Sequence, residues 1–221
     1  MVQRVTFIET IESLTAGRLL PVVVLPDIEC AIPLGRTLLD AGVPVIEITC
    51  RTAAAIPAIR RLRDSCPELL VGAGSVLNPA MAQEAMAAGA QFLVSPGFNE
   101  DTVRAANAEH VPILPGVLTP TEIDQARYRG QRILKLFPVS TLGGATYIAT
   151  LAGVYPDLRF VPTGGIDPDN LPKYLALPNV AACGGSWLAP TQMLRERRFD
   201  EIWSRVAAAV AIARAAGVIA P

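Results

Sequence analysis

Apolar residues fall in short bursts along the chain: LLPVVVL (19–25), VPVIEIT (43–49), LLVGAG (69–74), AQFLVSP (90–96), VPILPG (111–116), QRILKLFP (131–138), LRFVPTGG (158–165) and NVAACGG (179–185). These eight runs recur at roughly twenty-odd residues, and most end in Gly, Ser, Thr or Pro, the residues that stop a strand. Successive positions within a run are both apolar, which predicts strands buried on two faces, as in a parallel sheet covered by helices. The segments between them carry helical spacing and its punctuation. In IPLGRTLLDAG, Ile32, Leu34, Leu38 and Leu39 precede the stop Gly42. Asn78 and Pro79 open a helix that Gly89 closes, and Thr119–Pro120 and Asp167–Pro168 repeat the opening device. Eight alternations of strand and helix predict a closed (β/α)8 TIM barrel, a single domain over 1–221. TFIETIESL adds an N-terminal helix placed to cover the barrel bottom. An open doubly wound sheet is the competing arrangement, but it has fewer strands and a GxGxxG after the first, which VVVLPD lacks.

Composition narrows the partners. The net charge is −1 and the basic residues form no long run, so neither nucleic acid nor an anionic membrane is expected; RERR at 195–198 reads as a solvated helix end. Arg205 and Arg214 interrupt the Ala-rich tail before it reaches the roughly 18–20 apolar residues of a membrane span. The start, MVQRVTFIETIESL, carries acids where a signal peptide is apolar, so a cytoplasmic location is expected. Cys30, Cys50, Cys66 and Cys183 show no CxxC pairing and read as reduced core residues. His110, the only histidine, sits at a predicted helix end and cannot by itself assemble a metal site.

One position breaks the apolar pattern of the sixth run. Of 19 Lys and Arg residues only two are lysines, and Lys135 lies in the middle of RILKLFPVS. Strand alternation puts Ile133, Lys135 and Phe137 on one face, and Val45, Glu47, Thr49 and Arg51 on one face of the second strand. If both faces line the barrel, Lys135 and Glu47 meet inside it. A structural ion pair is one reading, since buried charges must be paired. Arginine suits that task better and dominates this chain, whereas lysine can lose its proton and attack a carbonyl. Burial and Arg51 favour the neutral amine, and an ionised Glu47 opposes it.

Two further loops carry glycine pairs, VPTGGIDPDN after the seventh strand and ACGGSWL after the eighth. Each either makes a tight turn or brings backbone N–H groups and a helix N-terminus to an anion; together, with the Thr163 and Ser186 hydroxyls, they favour phosphate. In GAGSVLNP, Gly72 and Gly74 flank a turn that aims Ser75 at the barrel top, where with Arg51 it can hold a carboxylate.

The series EITCRT (47–52), VGAGSVLNP (71–79), AGAQFLVSPG (88–97), LPGVLTPTE (114–122), LKLFP (134–138), VPTGGI (161–166) and CGGSWL (183–188) closely resembles the class I aldolases that cleave 2-keto-3-deoxy-6-phosphogluconate (KDPG) or 4-hydroxy-2-oxoglutarate (KHG). The resemblance implies a homotrimer of (β/α)8 barrels with no metal and no cofactor. Its substrate is a phosphorylated keto acid of the Entner–Doudoroff pathway, cleaved to pyruvate and glyceraldehyde 3-phosphate. It implies Lys135 as the Schiff-base lysine, Glu47 as the general acid/base, and Arg51 and Ser75 as carboxylate ligands. Pro96 and Phe137 would wall the pyruvyl pocket and Thr163 would face the substrate hydroxyls. Gly164, Gly165, Gly184, Gly185 and Ser186 would surround the phosphate. Ser75 replaces a usual threonine, Cys50 a common leucine, and Ser140 a frequent glutamate. The rival readings are the 6-phosphogalactonate epimer as substrate, a different phosphate-binding barrel enzyme, and a catalytically silent barrel.

Overall fold

The computed structural model describes residues 7–216; MVQRV and Thr6, part of the segment expected to precede or begin the first helix, lie outside them. Nine strands follow in chain order: β1 (Leu19–Val23), β2 (Val45–Thr49), β3 (Leu70–Gly74), β4 (Phe92–Val94), β5 (Ile113–Leu114), β6 (Gly116–Val117), β7 (Ile133–Leu136), β8 (Arg159–Pro162) and β9 (Cys183–Gly185). The helices are α1 (Phe7–Ala16), α2 (Ala31–Asp40), α3 (Ala55–Ser65), α4 (Pro79–Ala87), α5 (Glu100–Ala108), α6 (Pro120–Tyr128), α7 (Ala145–Val154), α8 (Leu171–Leu175), α9 (Thr191–Arg195) and α10 (Phe199–Ala215).

All strand pairings are parallel, in the orders β5-β4-β3-β2-β1-β9 and β6-β7-β8. The two sheets join at both seams. Bridges Phe160–Val180 and Thr163–Gly184 tie β8 to the last stave. At the other seam, β5 and β6 are one expected strand divided at Pro115, whose first half pairs with β4 and whose second half pairs with β7. Proline has no N–H to give the ladder, yet its carbonyl accepts from Lys135 N at 3.0 Å. Gly116 allows the bend because any Cβ there would collide with the Pro96 backbone. The eight expected staves thus close a barrel, the fifth of them kinked.

Both faces of the central strands are buried, from Leu19–Val23 through Leu70–Gly74. The helices cover the outer face through residues such as Leu34, Leu38, Ile59, Leu62 and Ile123, all fully buried. The expected capping recurs in the structure: the Asn78 side chain accepts from Met81 N, Glu122 Oε2 accepts from Leu118 N and Thr119 N, and Gly42 and Gly89 stop their helices at positive φ. The Asp167–Pro168 expectation shifts. Asp167 Oδ1 accepts from Asp169 N and Asn170 N, which closes a turn and delays α8 to Leu171. Helix α1 ends two residues before β1 and touches both β1 and β3, strands that are not neighbours, so it crosses the N-terminal end of the barrel. Cys30, Cys66 and Cys183 are buried, Cys50 is partly exposed, and all four are free thiols. No helix among the described residues is long and apolar enough to cross a membrane.

Gly72 sits inside the barrel where a Cβ would strike the ring of fully buried Phe92. Gly72→Ala is expected to cost about 1–3 kcal/mol through overpacking, read as a lower denaturant midpoint at unchanged slope. Gly17→Ala, with nothing near the added methyl, is expected to leave the midpoint unchanged or slightly raised.

Candidate active site

The strand faces left open by alternation are settled by the barrel. Leu134 and Leu136 point outward into the helical layer, fully buried, and Lys135 points inward. Glu47 reaches it from β2 across the interior. Lys135 Nζ lies 3.6 Å from Glu47 Oε1, with side-chain exposures of only 7% and 1%. That separation is a Coulombic contact just beyond hydrogen-bonding reach, and both Glu47 oxygens lack a hydrogen-bond partner. Room for the carboxyl comes from Gly74, where any Cβ would collide with it. The Phe137 ring lies under the amine, its centroid 5.3 Å from Nζ.

The Glu47 carboxyl is held above the usual carboxylate range. Burial is the main cause, and the charges of Lys135 and then Arg51 offset it only in part. Burial thus favours the protonated carboxyl more than it would be favoured in water.

Around the pair is a cavity of about 230 Å³ that opens at the C-terminal ends of the strands. It is lined by Glu47, Arg51, Ser75, Pro96, Lys135, Phe137, Thr163, Gly164, Gly165, Gly184, Gly185 and Ser186, so every candidate residue named from sequence reaches one space. Arg51 and Ser75 stand at the ends of adjacent strands β2 and β3. Ser75 has φ +56°, a strained backbone that turns the chain just after Gly74. The Arg51 guanidinium makes no hydrogen bond to the protein among the described residues, which leaves its planar fork free for a carboxylate.

At the opposite end, Gly164 and Gly165 have φ of +95° and +77°, backbone that suits glycine. Asn170 Nδ2 donates to Gly165 O at 2.9 Å, so the turn that delays α8 also fixes this loop. Gly184 leaves space for the Thr163 hydroxyl and Gly185 for the Trp187 indole.

Three cavity residues escaped the sequence reading: Val22, Thr49 and Ile166. Thr49 carried a usable signal, since it shares a face with Glu47 and Arg51. Val22 pairs with Glu47 across β1 and β2, which only register reveals. Cys50 faces away, into a separate pocket of about 410 Å³ between α3 and α4, and burial pushes its thiol up to about 11. Ser140 does not line the cavity; its side chain packs against Gly165, and its N–H donates to Gly164 O at 3.3 Å. No three His, Cys, Asp or Glu side chains converge as metal ligands among the described residues.

Residues 10–205 match the family model described as KDPG and KHG aldolase. The chain belongs to this family. It is 46% identical over 191 residues to the 2-dehydro-3-deoxy-phosphogluconate aldolase of Treponema pallidum, covering 86% of this chain and 91% of that one. It is 42% identical over 189 residues to the KHG/KDPG aldolase of Escherichia coli K12, covering 86% and 89%. The KDPG aldolase of Legionella pneumophila, solved with pyruvate captured as a covalent carbinolamine, superposes with a TM-score of 0.87 at 35% identity, covering 90% of this chain and 97% of that one. In the KDPG and KHG aldolase fold of this chain, the amine and carboxyl described above sit at the centre of the barrel.

Because the folded state holds the Glu47 proton more tightly than the unfolded chain does, its ionisation costs stability. That cost is absent below the unfolded carboxyl value of about 4.3 and grows as pH rises through the folded value. Glu47→Gln removes this dependence, so the stability of Glu47→Gln relative to the unmutated chain is expected to rise with pH. Urea unfolding at a series of pH values measures it, and a flat difference contradicts the assignment.

Proposed function

We propose that the chain is a class I aldolase that reversibly cleaves 2-dehydro-3-deoxy-6-phosphogluconate to pyruvate and D-glyceraldehyde 3-phosphate. Cleavage of 4-hydroxy-2-oxoglutarate to pyruvate and glyoxylate accompanies it, because the two substrates share the pyruvyl half. The observation that carries this reading is the buried amine of Lys135, 3.6 Å from the Glu47 carboxyl in a cavity with a free guanidinium at one end and glycine turns at the other. The pyruvate adduct of the Legionella relative supports the same chemistry.

The neutral Lys135 amine attacks the C2 ketone of the substrate to form a carbinolamine. Loss of its hydroxyl as water leaves a protonated imine. Glu47 supplies the proton for that departing hydroxyl, and its raised affinity for a proton suits the task. As the C3–C4 bond breaks, its electron pair moves toward the imine nitrogen, and the C4 hydroxyl proton passes to the Glu47 carboxylate. The aldehyde leaves, the resulting enamine takes a proton at C3, and water releases pyruvate from Lys135. Arg51 and Ser75 hold the pyruvyl carboxylate beside Pro96 and Phe137, and Thr163 meets a substrate hydroxyl. Backbone groups of Gly164, Gly165, Gly184, Gly185 and Ser186 orient the phosphate, which contributes binding and alignment rather than bond making.

The chain acts as one barrel domain, assembled as a homotrimer in the cytoplasm. Its four free thiols fit a reducing compartment, and sedimentation equilibrium measures the subunit number.

Borohydride added with pyruvate is expected to fix one pyruvyl unit on Lys135, located by peptide mass mapping, and Lys135→Met abolishes it. A pyruvyl unit found elsewhere, or none, removes the aldolase reading. Glu47→Gln is expected to lower turnover by about 10²–10⁴-fold in an assay that couples pyruvate release to a dehydrogenase.

A further inference from the structure

The backbone ladder between β1 and β2 ends at the pair Val23–Ile48. Past that point β2 turns. Cys50 N donates to Gly74 O on the far side, and Arg51 N folds back onto Thr49 O at 2.8 Å. Val23 O is thus the last carbonyl of β1 that the β2 ladder reaches, and the carbonyl of Leu25, beyond it on the same side, has no backbone donor from β2. Two side chains act at this end of the ladder: the Thr49 hydroxyl donates to Val23 O at 2.9 Å, and the Thr52 hydroxyl donates to Leu25 O at 2.8 Å. Val24 O, pointing to the other side of β1, accepts from the Thr191 hydroxyl at 3.3 Å.

Arg51 lies between the two threonines. Its own side chain is exposed and makes no hydrogen bond to the protein among the described residues, so nothing on the guanidinium itself fixes where it points. A separate pocket lies behind the same turn, lined by Cys50, Thr52 and Ala53, so the turn is not packed firmly from the rear.

We propose that Thr49 and Thr52 are positioning residues for Arg51: their hydroxyls reinforce the last rung of the β1–β2 ladder and extend it to Leu25, and so aim the guanidinium at the substrate carboxylate. The inference rests on the aldolase reading, in which Arg51 binds the pyruvyl carboxylate. Substituting valine keeps the branched shape and removes only the hydroxyl donors.

The test is the rate of borohydride trapping against pyruvate concentration in the unmutated chain, in Thr49→Val/Thr52→Val and in Thr191→Val. The double variant is expected to need about five- to tenfold more pyruvate for half-maximal trapping, with the limiting rate within about twofold. Thr49→Ser/Thr52→Ser restores the original value. Thr191→Val, which loses a comparable bond on the side away from Arg51, leaves half-saturation unchanged. In an Arg51→Ala background the valine substitutions add no further loss, as expected of residues that act through one another. Thr52→Val alone carries the test if the double variant does not fold, because Thr52 is only partly buried. Unchanged half-saturation, an undiminished loss in the Arg51→Ala background, or an equal loss in Thr191→Val overturns the proposal. If the unmutated chain traps no pyruvate, the function itself fails; if it traps normally and the variants match it, the positioning role alone fails.

Discussion

The structure turns on the Lys135 amine and the Glu47 carboxyl held 3.6 Å apart in a barrel interior that water barely reaches. Removing the charged form of either group from water costs several kcal/mol before any mutual attraction is counted. A purely structural pair would recover part of that cost with hydrogen bonds to every oxygen. Here both Glu47 oxygens go without. Protein groups leave the carboxyl unsatisfied, and a reacting molecule in the adjoining cavity would supply the missing partners. Instability at this point and chemistry at this point have one cause.

The rest of the interior accommodates the pair by subtraction. Gly74 gives up a side chain so that Glu47 can lie across β3, Gly184 does so for Thr163, and Gly72 does so for the Phe92 ring. The cavity lies above these glycines, in the layer nearest the C-terminal strand ends of a close-packed barrel. Hydroxyls do corresponding work where the ladder stops. Thr49, Thr191 and Thr52 donate to three successive carbonyls, Val23, Val24 and Leu25, at and just past the end of β1. The segments that carry function are thus the ones where regular pairing ends and side-chain bonds hold the chain.

Reading the sequence recovered much of this because strand and helix signals there are local. Alternation put Glu47 and Arg51 on one face and Lys135 and Phe137 on another, and Asn78 capped the helix it was expected to cap. It was less successful where two effects competed within a few residues. Asp167 read as a helix cap, but its carboxylate closes a turn onto Asp169 and Asn170 and postpones α8. Pro115 read as part of one strand, whereas its missing N–H divides that strand between two neighbours. Thr49 read as a strand residue on the right face and no more, because the carbonyl it serves belongs to a strand 26 positions earlier.

The amino-acid order by itself determined that strands and helices alternate around a ring, that a lysine interrupts an apolar strand, and that glycine pairs end two staves. Those features depend on side-chain periodicity and backbone freedom within a few residues. Only the tertiary structure decided that Lys135 faces Glu47 rather than the helices and that Val22 and Ile166 share their cavity. Register across the barrel and closure of its two seams set those relations, and both arise from distant strands packing together, which no local pattern encodes.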